Sequence, residues 1–195
     1  MERHILDSSQ LIEKSLDDVC DLIRERIQKS YRLGDISVRS LSCLSISGDE
    51  PVGIYILADD AGSINYVGKT HGRSFHERMV SHLDSREPKP GSPHLAQLVS
   101  TMVKKNSSLS RTNAVEKILN MRVLWLPIPS GKMRPSRHKE LIALVERRLL
   151  WKHALNPHYN SCRVKENDVI TIRGKRRVLS ERSGIFDLIE QQHAQ

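Results

Sequence analysis

Two short apolar runs, separated by a polar break, lie near the middle of the chain at residues 53–58 and 64–68. The break at residues 59–63 contains two Asp, one Gly and one Ser. β-favouring residues on both sides of turn-forming residues predict an antiparallel hairpin. Because side chains alternate between the two faces of a strand, we expect Tyr55 and Tyr66 to lie near one another at the same end of the hairpin.

A glycine accompanies each of these tyrosines, since Gly53 begins the first run and Gly68 ends the second. Glycine has no side chain, so we expect both positions to leave bare backbone that a bulky ligand could approach. The hairpin alone does not indicate a function, because a tyrosine on a strand is usually a packing residue.

The first 34 residues carry apolar side chains at intervals of three and four, which is typical of an amphipathic helix. The stripe consists of Leu11, Ile12, Leu16, Val19, Leu22, Ile23, Ile27 and Tyr31. Ser8 or Ser9 is expected to cap the helix and Gly34 to end it. We interpret it as a helix packed across the core, with a dimer interface as the alternative.

A second helix is predicted after the hairpin, beyond a short basic loop at residues 69–73. Ser74 and Glu77 form the S-x-x-E pattern of a capping box, so the helix should begin at Ser74 and Glu77 should serve the cap. Arg78 and His82 are four residues apart and therefore share one helix face. The short loop keeps that face close to the second tyrosine.

The remaining pattern predicts a series of further elements. They are a short strand or loop at 35–51, a helix from about Pro93 to Lys105, a polar loop from Asn106 to Asn113 followed by a short helical turn, a strand from Met121 to Leu126, a helix from Pro135 to about Leu155, a turn from Asn156 to Asn160, a basic hairpin from Val169 to Leu179 and a last helix from Arg182 to Gln192. This succession indicates a small domain of the mixed α/β (α+β) class.

One acidic residue stands in an apolar stretch of the helix that begins at Pro135. Glu146 has Ile142, Ala143, Leu149 and Leu150 as its helical neighbours. A carboxylate on such a stripe is costly to bury unless it meets a cation or a metal ion. Because Arg147 lies in almost as apolar a setting, a buried Glu–Arg pair and a metal ligand both remain open.

The composition indicates an aliphatic core and an anionic partner. Hydrophobic residues make up 38% of the 195 residues, but only 4% are aromatic, so the core must be built mostly from aliphatic side chains. Lys and Arg number 31 against 23 Asp and Glu, a formal net charge of +8. A basic balance of this size favours a polyanionic partner such as nucleic acid.

The cysteines indicate a reducing compartment, and the hydropathy indicates a soluble protein. Cys20, Cys43 and Cys162 are far apart and form no C-x-x-C pair, so neither a disulfide framework nor a cysteine zinc site is expected. No secretory signal is visible, and no apolar run approaches the ~20 residues needed to span a bilayer. We expect a soluble cytoplasmic protein that does not bind membranes.

Five features in order resemble the GIY-YIG nuclease superfamily. They are Gly53-Ile54-Tyr55, Tyr66-Val67-Gly68, Arg78 on the following helix, Glu146 on a later helix, and Pro157-x-x-Asn160 after it. The resemblance covers residues 52–162 and implies a small three-stranded sheet flanked by helices. Residues 1–51 are then an N-terminal helical extension packed on this core, and residues 163–195 are a C-terminal basic hairpin and helix.

The resemblance also implies roles for the clustered side chains. Tyr55 would be the general base, or its partner through water, and Tyr66 would position the water or the scissile phosphate. Arg78 would stabilise the charge that builds on the phosphate, and His82 would hydrogen-bond to Tyr55 or act as the base itself. Since a free tyrosine has a pKa near 10, we expect a neighbouring cation such as Lys69 or Arg78, or a metal-bound water, to lower it.

The resemblance further implies hydrolysis of a phosphodiester with one divalent metal ion, Mg²⁺, for which Mn²⁺ can substitute. Glu146 would be its only protein ligand, a donor set that suits an ion which keeps most of its waters. Lys69 would help to activate the nucleophile, and Asn160 would brace the site from behind. The basic residues assigned to DNA contact are Arg73, Arg173, Lys175, Arg176 and Arg177.

Within the superfamily, a compact chain with short basic appendages is most similar to a type II restriction endonuclease. We therefore expect a sequence-specific endonuclease that acts on double-stranded DNA, and the N-terminal helix offers a surface for a homodimer. A structure-selective repair or recombination nuclease is the alternative within the same class. A DNA-binding module without catalysis is the alternative from a different class.

Overall fold

The computed structural model describes residues 3–11, 14–37, 52–86, 98–130, 134–150 and 155–160, together with the backbone of 169–172 and 175–178. In these ranges the fold is mixed α/β, with five α-helices and a small three-stranded antiparallel sheet. The helices are α1 (Leu16–Gln28), α2 (Phe75–His82), α3 (Leu98–Lys105), α4 (Arg111–Leu119) and α5 (Pro135–Leu150). The strands are β1 (Gly53–Ala58), β2 (Ile64–Thr70), β3 (Arg122–Pro127), β4 (Val169–Ile172) and β5 (Lys175–Val178).

The predicted hairpin is confirmed as β1 and β2, joined by a turn in which Asp59 Oδ1 accepts a hydrogen bond from the Ser63 amide at 2.8 Å. The predicted third strand is also confirmed, and the order β2-β1-β3 puts β1 in the centre. Every residue of β1 is buried, because both faces of the sheet are covered. The strand order also makes β2 an edge strand.

Two hydrophobic clusters cover the two faces of the sheet. The first joins Ile54 and Ile56 to side chains of α1 and α5, and among the described residues its members are not aromatic. The second joins Tyr55 and Trp125 to α2, α3 and α4, and it holds the buried aromatic rings. The fold is thus a thin sheet between two helical layers.

The N-terminal helix packs on the core, as interpreted, but its start was predicted wrongly. Helix α1 begins at Leu16, and Ser15 and Asp18 form a reciprocal capping box in front of it. This cap fixes the start of the helix, because it satisfies free backbone donors of the first turn. Residues 8–11 form a separate 3₁₀ turn, and Gly34 lies in another 3₁₀ turn rather than at a helix end.

The apolar stripe of α1 is used inside the chain. Val19, Ile23 and Ile27 are fully buried in the first cluster, so this face is not the dimer interface considered as the alternative. Tyr31 lies beyond the helix and is 44% exposed.

A feature that the pattern did not predict is the pairing of residues 4–6 with the outer edge of β3. There the Trp125 amide donates to the His4 carbonyl at 2.7 Å, and the Leu6 amide donates to the Trp125 carbonyl at 2.8 Å.

A second correction concerns residues 111–113, which were expected in a polar loop. They form the first turn of α4, a helix of nine residues, because Ser110 caps it by accepting a hydrogen bond from the Asn113 amide at 3.1 Å. None of the helices in the ranges above has the length and apolar character needed to cross a lipid bilayer.

The C-terminal hairpin is confirmed in its backbone, since β4 and β5 pair antiparallel. Several predictions lie outside the described residues: the structure of 38–51, the helix start near Pro93, the end of α5 at 151–154, Cys43, Cys162, the hairpin tip with Arg173, and the last helix. The side chains of Lys175, Arg176 and Arg177 lie outside them as well.

Candidate active site

The register of the β1–β2 ladder builds the centre of the site. Tyr55 is paired with Gly68, and Tyr66 is paired with Leu57, so the two tyrosines are diagonal neighbours. Their rings are stacked with centroids 5.9 Å apart, as the alternation predicts. Tyr55 is fully buried, whereas Tyr66 keeps part of its surface exposed.

The two glycines do not leave room for a ligand, contrary to the expectation. A Cβ at Gly68 would overlap the ring and hydroxyl of Tyr55, and it would lie 2.7 Å from Tyr66 Cε1. A Cβ at Gly53 would overlap the carbonyl of Leu126 on β3. The space beside each glycine is therefore filled by the protein itself, and Gly68 is required by the tyrosine opposite it.

Helix α2 supplies the polar partners of Tyr55. It begins with the predicted capping box, in which the Ser74 side chain accepts from the Glu77 amide and Glu77 accepts from the Ser74 amide. One turn later, Arg78 Nε donates to Tyr55 Oη at 3.3 Å. His82 Nε2 lies 2.5 Å from the same oxygen. We call Tyr55, Tyr66, Arg78 and His82 the tyrosine cluster.

The other nitrogen of the His82 ring has a partner that the sequence did not indicate. The backbone amide of Leu98, in α3, donates to His82 Nδ1 at 3.2 Å. No local pattern identifies such a contact, because it depends on how α2 and α3 pack.

Burial controls the proton affinities in the tyrosine cluster. Burial raises the pKa of Tyr55 well above its ordinary value, and it also raises the pKa of Tyr66. Arg78 opposes both shifts but is outweighed, so the expected lowering of the tyrosine pKa by neighbouring cations is not found in this structure. Burial, followed by the Arg78 charge, lowers the pKa of His82 to about 3, which makes the ring neutral at pH 7.

Lys69 and Glu146 form an ion pair on the other side of β2. Lys69 is paired with Ile54 in the ladder, so its side chain leaves the sheet on the face that α5 covers. Lys69 Nζ lies 2.5 Å from Glu146 Oε2, and the side chains are 40% and 18% exposed. Glu146 thus meets Lys69, whereas Arg147, the partner considered from the sequence, is exposed.

The Lys69–Glu146 pair and the tyrosine cluster are close because β2 is an edge strand. The charge of Glu146 is near enough to raise the pKa of Tyr66, although burial is the larger cause. The edge strand β2 therefore has an arginine and hydroxyl groups on one face of the sheet and a carboxylate with a lysine on the other.

Asn160 lies against the same edge. Its side-chain oxygen accepts from the Val67 amide at 2.8 Å, and its side-chain nitrogen donates to the Val67 carbonyl at 2.6 Å. The Tyr159 amide donates to the Asn65 carbonyl at 2.8 Å. The segment after α5 thus replaces part of a missing strand, which satisfies edge groups of β2 behind the tyrosine cluster.

The donor chemistry at this edge fits one hydrated magnesium ion better than a protein-caged metal. Across the described part of the chain, no group of three or more His, Cys, Asp or Glu residues is placed to hold a metal ion. Glu146 offers a single, partly exposed carboxylate. Mg²⁺ retains several of its waters and is commonly bound by one or two carboxylates together with substrate phosphates, so Glu146 is the described residue that could hold it.

Arg73 is exposed in the loop that leads into α2. A polar cleft of about 850 Å³ is lined by residues of the β1–β2 turn and of the segment 155–160, including Asn160. It does not include any residue of the tyrosine cluster.

Comparison with known proteins identifies no relative of this chain. No family model, no curated protein and no solved structure matches the chain. The class that the fold and the candidate site define is therefore a small α/β domain with tyrosine, arginine, histidine and carboxylate groups gathered at one sheet edge.

Proposed function

We propose that this chain is a GIY-YIG endonuclease that hydrolyses phosphodiester bonds in double-stranded DNA. The observation that carries the proposal is the convergence of the motif residues on one strand edge. Tyr55, Tyr66, Arg78 and His82 contact one another, and Glu146 lies across the same edge. These residues come from four separate elements, so their convergence does not follow from any single local pattern.

The chemistry of phosphodiester hydrolysis matches these groups. Attack on phosphorus needs an oriented water, compensation of the charge that develops on the phosphate, and a stabilised leaving oxygen. Arg78 is held in place by its hydrogen bond to Tyr55, and a guanidinium matches the oxygens of a phosphate. The tyrosine hydroxyls can orient a water or a phosphate oxygen beside it.

Glu146 would hold the single divalent ion, Mg²⁺ or Mn²⁺. When bound, the ion would supply positive charge at the phosphate. Lys69 now occupies one oxygen of this carboxylate at 2.5 Å, so the lysine has to release that oxygen when a metal binds. The released ammonium group would remain next to the site, where it can neutralise a phosphate or favour a deprotonated nucleophile.

The finer architecture belongs to the same proposal. A three-stranded antiparallel sheet with helices on both faces is consistent with the GIY-YIG fold. The formal net charge of +8 favours a polyanionic substrate. We propose cleavage at a defined sequence, in the manner of a type II restriction endonuclease in the cytoplasm.

The proposal is tested by incubating the purified protein with unmodified plasmid and phage DNA, with and without Mg²⁺, and sequencing the ends. Glu146→Ala should abolish cleavage. Glu140→Ala is the matched control, because Glu140 is an exposed glutamate on the same helix and should leave cleavage unchanged.

Each outcome has a defined meaning. Fragments that share one end sequence support the restriction-type enzyme. Cuts without a consensus would replace it with the structure-selective nuclease, and branched DNA substrates would then be used. Retained DNA binding without cleavage by the wild-type protein would overturn the proposal in favour of a binding module.

A further inference from the structure

The polar cleft beside the tyrosine cluster has no part in the chemistry proposed above. Its volume is about 850 Å³, and its lining comes from the β1–β2 turn, the segment 155–160 and one residue each of α1, α3 and α5. Asn65 and Asn160 both line it. Asn65 precedes Tyr66 in β2, and Asn160 is hydrogen-bonded to Val67. The cleft therefore lies along the edge of β2, on the turn side of the tyrosine cluster.

Two cationic side chains line this cleft, Arg24 from α1 and Lys105 from α3, and both are exposed. Arg24 pairs with Asp21 at 2.9 Å, but the two side chains are 47% and 77% exposed, so a phosphate can replace this weak contact. Asp59 also lines the cleft, and its Oδ1 accepts from the Ser63 amide. The charges of the described lining thus favour an anion.

Lys105 is held in position at the cleft by two contacts. Its Nζ donates to the His158 carbonyl and lies 5.6 Å from the centroid of the Tyr159 ring, a distance at which an aromatic ring attracts a cation. A lysine ammonium has three donor protons, so the bond to His158 leaves donors for a phosphate. Because the side chain is already positioned, less conformational entropy is lost when an anion binds.

We propose that this cleft binds backbone phosphates of the cleaved DNA strand next to the scissile phosphate, and that Lys105 and Arg24 contact them. This rests on the nuclease function proposed above. Phosphates follow every ~3.4 Å along the axis of each DNA strand, and residues follow every ~3.3 Å along β2. A strand that has its scissile phosphate at the tyrosine cluster and runs along β2 therefore brings its next phosphates to Asn65 and the cleft.

The size of the cleft agrees with this occupant. Pockets of about 300–1,000 Å³ hold ligands the size of a drug molecule. The cleft can therefore take a short stretch of sugar–phosphate backbone but not a whole duplex. Helix α1 would then use its apolar stripe for the core and its exposed Arg24 for the substrate.

Salt-dependent DNA binding tests the Lys105 contact without metal or cleavage. The affinity of a fluorescein-labelled DNA duplex for the full chain is measured by anisotropy over a series of NaCl concentrations. Lys105→Met should reduce the slope of log affinity against log salt by about 1 and weaken binding about 5- to 10-fold at about 0.1 M salt, because one phosphate contact is lost.

Lys104→Met is the matched control for Lys105→Met. Lys104 is the preceding residue of α3 and is exposed, but it does not line the cleft. The two variants therefore lose the same charge, and Lys104→Met should keep the wild-type slope. Equal slopes and affinities for the two variants would overturn the proposal.

A second matched pair tests the part of α1. Arg24→Gln should weaken DNA binding about 5-fold and lower the salt slope by about 1, as expected for one phosphate contact. Arg26→Gln is the control, since Arg26 is exposed on the same helix and donates to Gln10 instead of lining the cleft. Equal affinities for these two variants would overturn the contact assigned to α1.

Two measurements separate the charge of Lys105 from its bond to the His158 carbonyl. Hydrogen exchange of the Val67 amide, which donates to Asn160, reports whether the segment 155–160 stays in place, and it should be unchanged in Lys105→Met. Lys105→Arg keeps the charge and should keep the wild-type salt slope. A slope lowered equally in Lys105→Arg and Lys105→Met would overturn the phosphate contact.

Photocrosslinking locates the DNA directly. A photoreactive amino acid is placed at Ser63, which is exposed at the cleft and whose backbone makes the hydrogen bonds to Asp59. Irradiation of the complex should couple the labelled DNA to this position. Cleavage with Mg²⁺ but no coupling at Ser63 would overturn this proposal and leave the nuclease function standing. Coupling and Lys105-dependent binding without any cleavage would support the cleft and overturn the nuclease function.

Discussion

Gly68 lies directly opposite Tyr55 in the β1–β2 ladder, and the Tyr55 ring occupies the space that a side chain at position 68 would need. The tyrosine of the first tripeptide and the glycine of the second therefore form one structural unit. The ladder register brings them together although they are far apart in the chain, and it stacks Tyr66 beside Tyr55 as well.

Gly68→Ala should displace Tyr55 and disable the candidate site. A methyl group there overlaps the ring and lies 2.7 Å from Tyr66 Cε1, so one of the rings has to move. Overpacking of this kind costs about 1–3 kcal/mol, which should appear as a lower midpoint of thermal unfolding. DNA cleavage should fall by at least about 10-fold, because small displacements of positioned groups are costly.

Gly72→Ala is the matched control for this substitution. Gly72 has a φ of 69° but no atom within 4 Å of the added Cβ, so alanine there introduces backbone strain without displacing a side chain. Its stability should fall by about 1 kcal/mol while cleavage is retained. Loss of cleavage in both variants to the same extent would show that backbone strain, and not the Tyr55 contact, is responsible.

Lys69→Met should increase metal affinity. The lysine ammonium lies 2.5 Å from the carboxylate proposed to bind the ion, so a metal has to compete with it. Because the lysine side chain is 40% exposed, solvent screening limits this competition, and we expect a gain of about fivefold. Titration calorimetry with Mg²⁺ or Mn²⁺ measures the affinity directly.

Lys117→Met provides the control for net charge, since Lys117 is exposed on α4. It should leave the metal affinity unchanged. A Lys69→Met protein with unchanged or weaker affinity would contradict the competition, and Glu146→Gln should lose the site altogether.

His82 should make the protein less stable in mild acid. The folded pKa is lowered to about 3, whereas the unfolded chain has a histidine pKa of about 6.5. The unfolded state therefore binds the extra proton as pH falls below about 6.5, and stability is lost down to the folded pKa. Above about pH 6.5 the residue contributes no pH dependence.

The size of this effect follows from the same linkage. Each pH unit below the unfolded pKa removes about 1.4 kcal/mol from the free energy of unfolding, or about 2 kcal/mol at pH 5. Denaturant unfolding between pH 7.5 and 5 measures the slope. His82→Gln should flatten it by that amount, and equal slopes for the two proteins would contradict the burial of a neutral ring.

Asn160→Ala should release the edge of β2. The variant loses both hydrogen bonds to Val67, at 2.8 Å and 2.6 Å, which should cost about 1–3 kcal/mol because the Val67 groups are left unpaired. Hydrogen exchange of the Val67 amide should become faster.

Asn160→Asp is a sharper comparison, since it keeps the acceptor for the amide but puts a second acceptor against the Val67 carbonyl. The free energy of unfolding of Asn160→Asp should therefore fall by more than the loss of one hydrogen bond would cause. An Asn160→Asp protein as stable as wild type would contradict the arrangement of two hydrogen bonds.

Local sequence patterns predicted the elements whose stabilising groups lie close together in the chain. The β1–β2 hairpin follows from alternation and a turn, and the start of α2 follows from Ser74 and Glu77, which are three residues apart. The prediction of Ser8 or Ser9 as the cap of α1 is wrong, because Ser15 and Asp18 form its capping box. That box is an equally local signal, since its two residues are three apart.

The contacts that complete the site could not be predicted in this way. The Lys69–Glu146 pair joins residues 77 apart, and the Asn160–Val67 hydrogen bonds join residues 93 apart. The Leu98 amide that orients His82 is a backbone group, which every residue except proline possesses, so no residue type identifies it.

The sequence by itself determined the residue types at the candidate site, their order and the elements that carry them, because hairpins, caps and amphipathic faces depend on neighbours within a few residues. Tertiary structure alone decided that Lys69 pairs with Glu146, that Tyr55 is fully buried while Tyr66 is only partly buried, and that the Leu98 amide donates to His82. These outcomes depend on burial and on partners from distant elements, and both arise only when the helices pack on the two faces of the sheet.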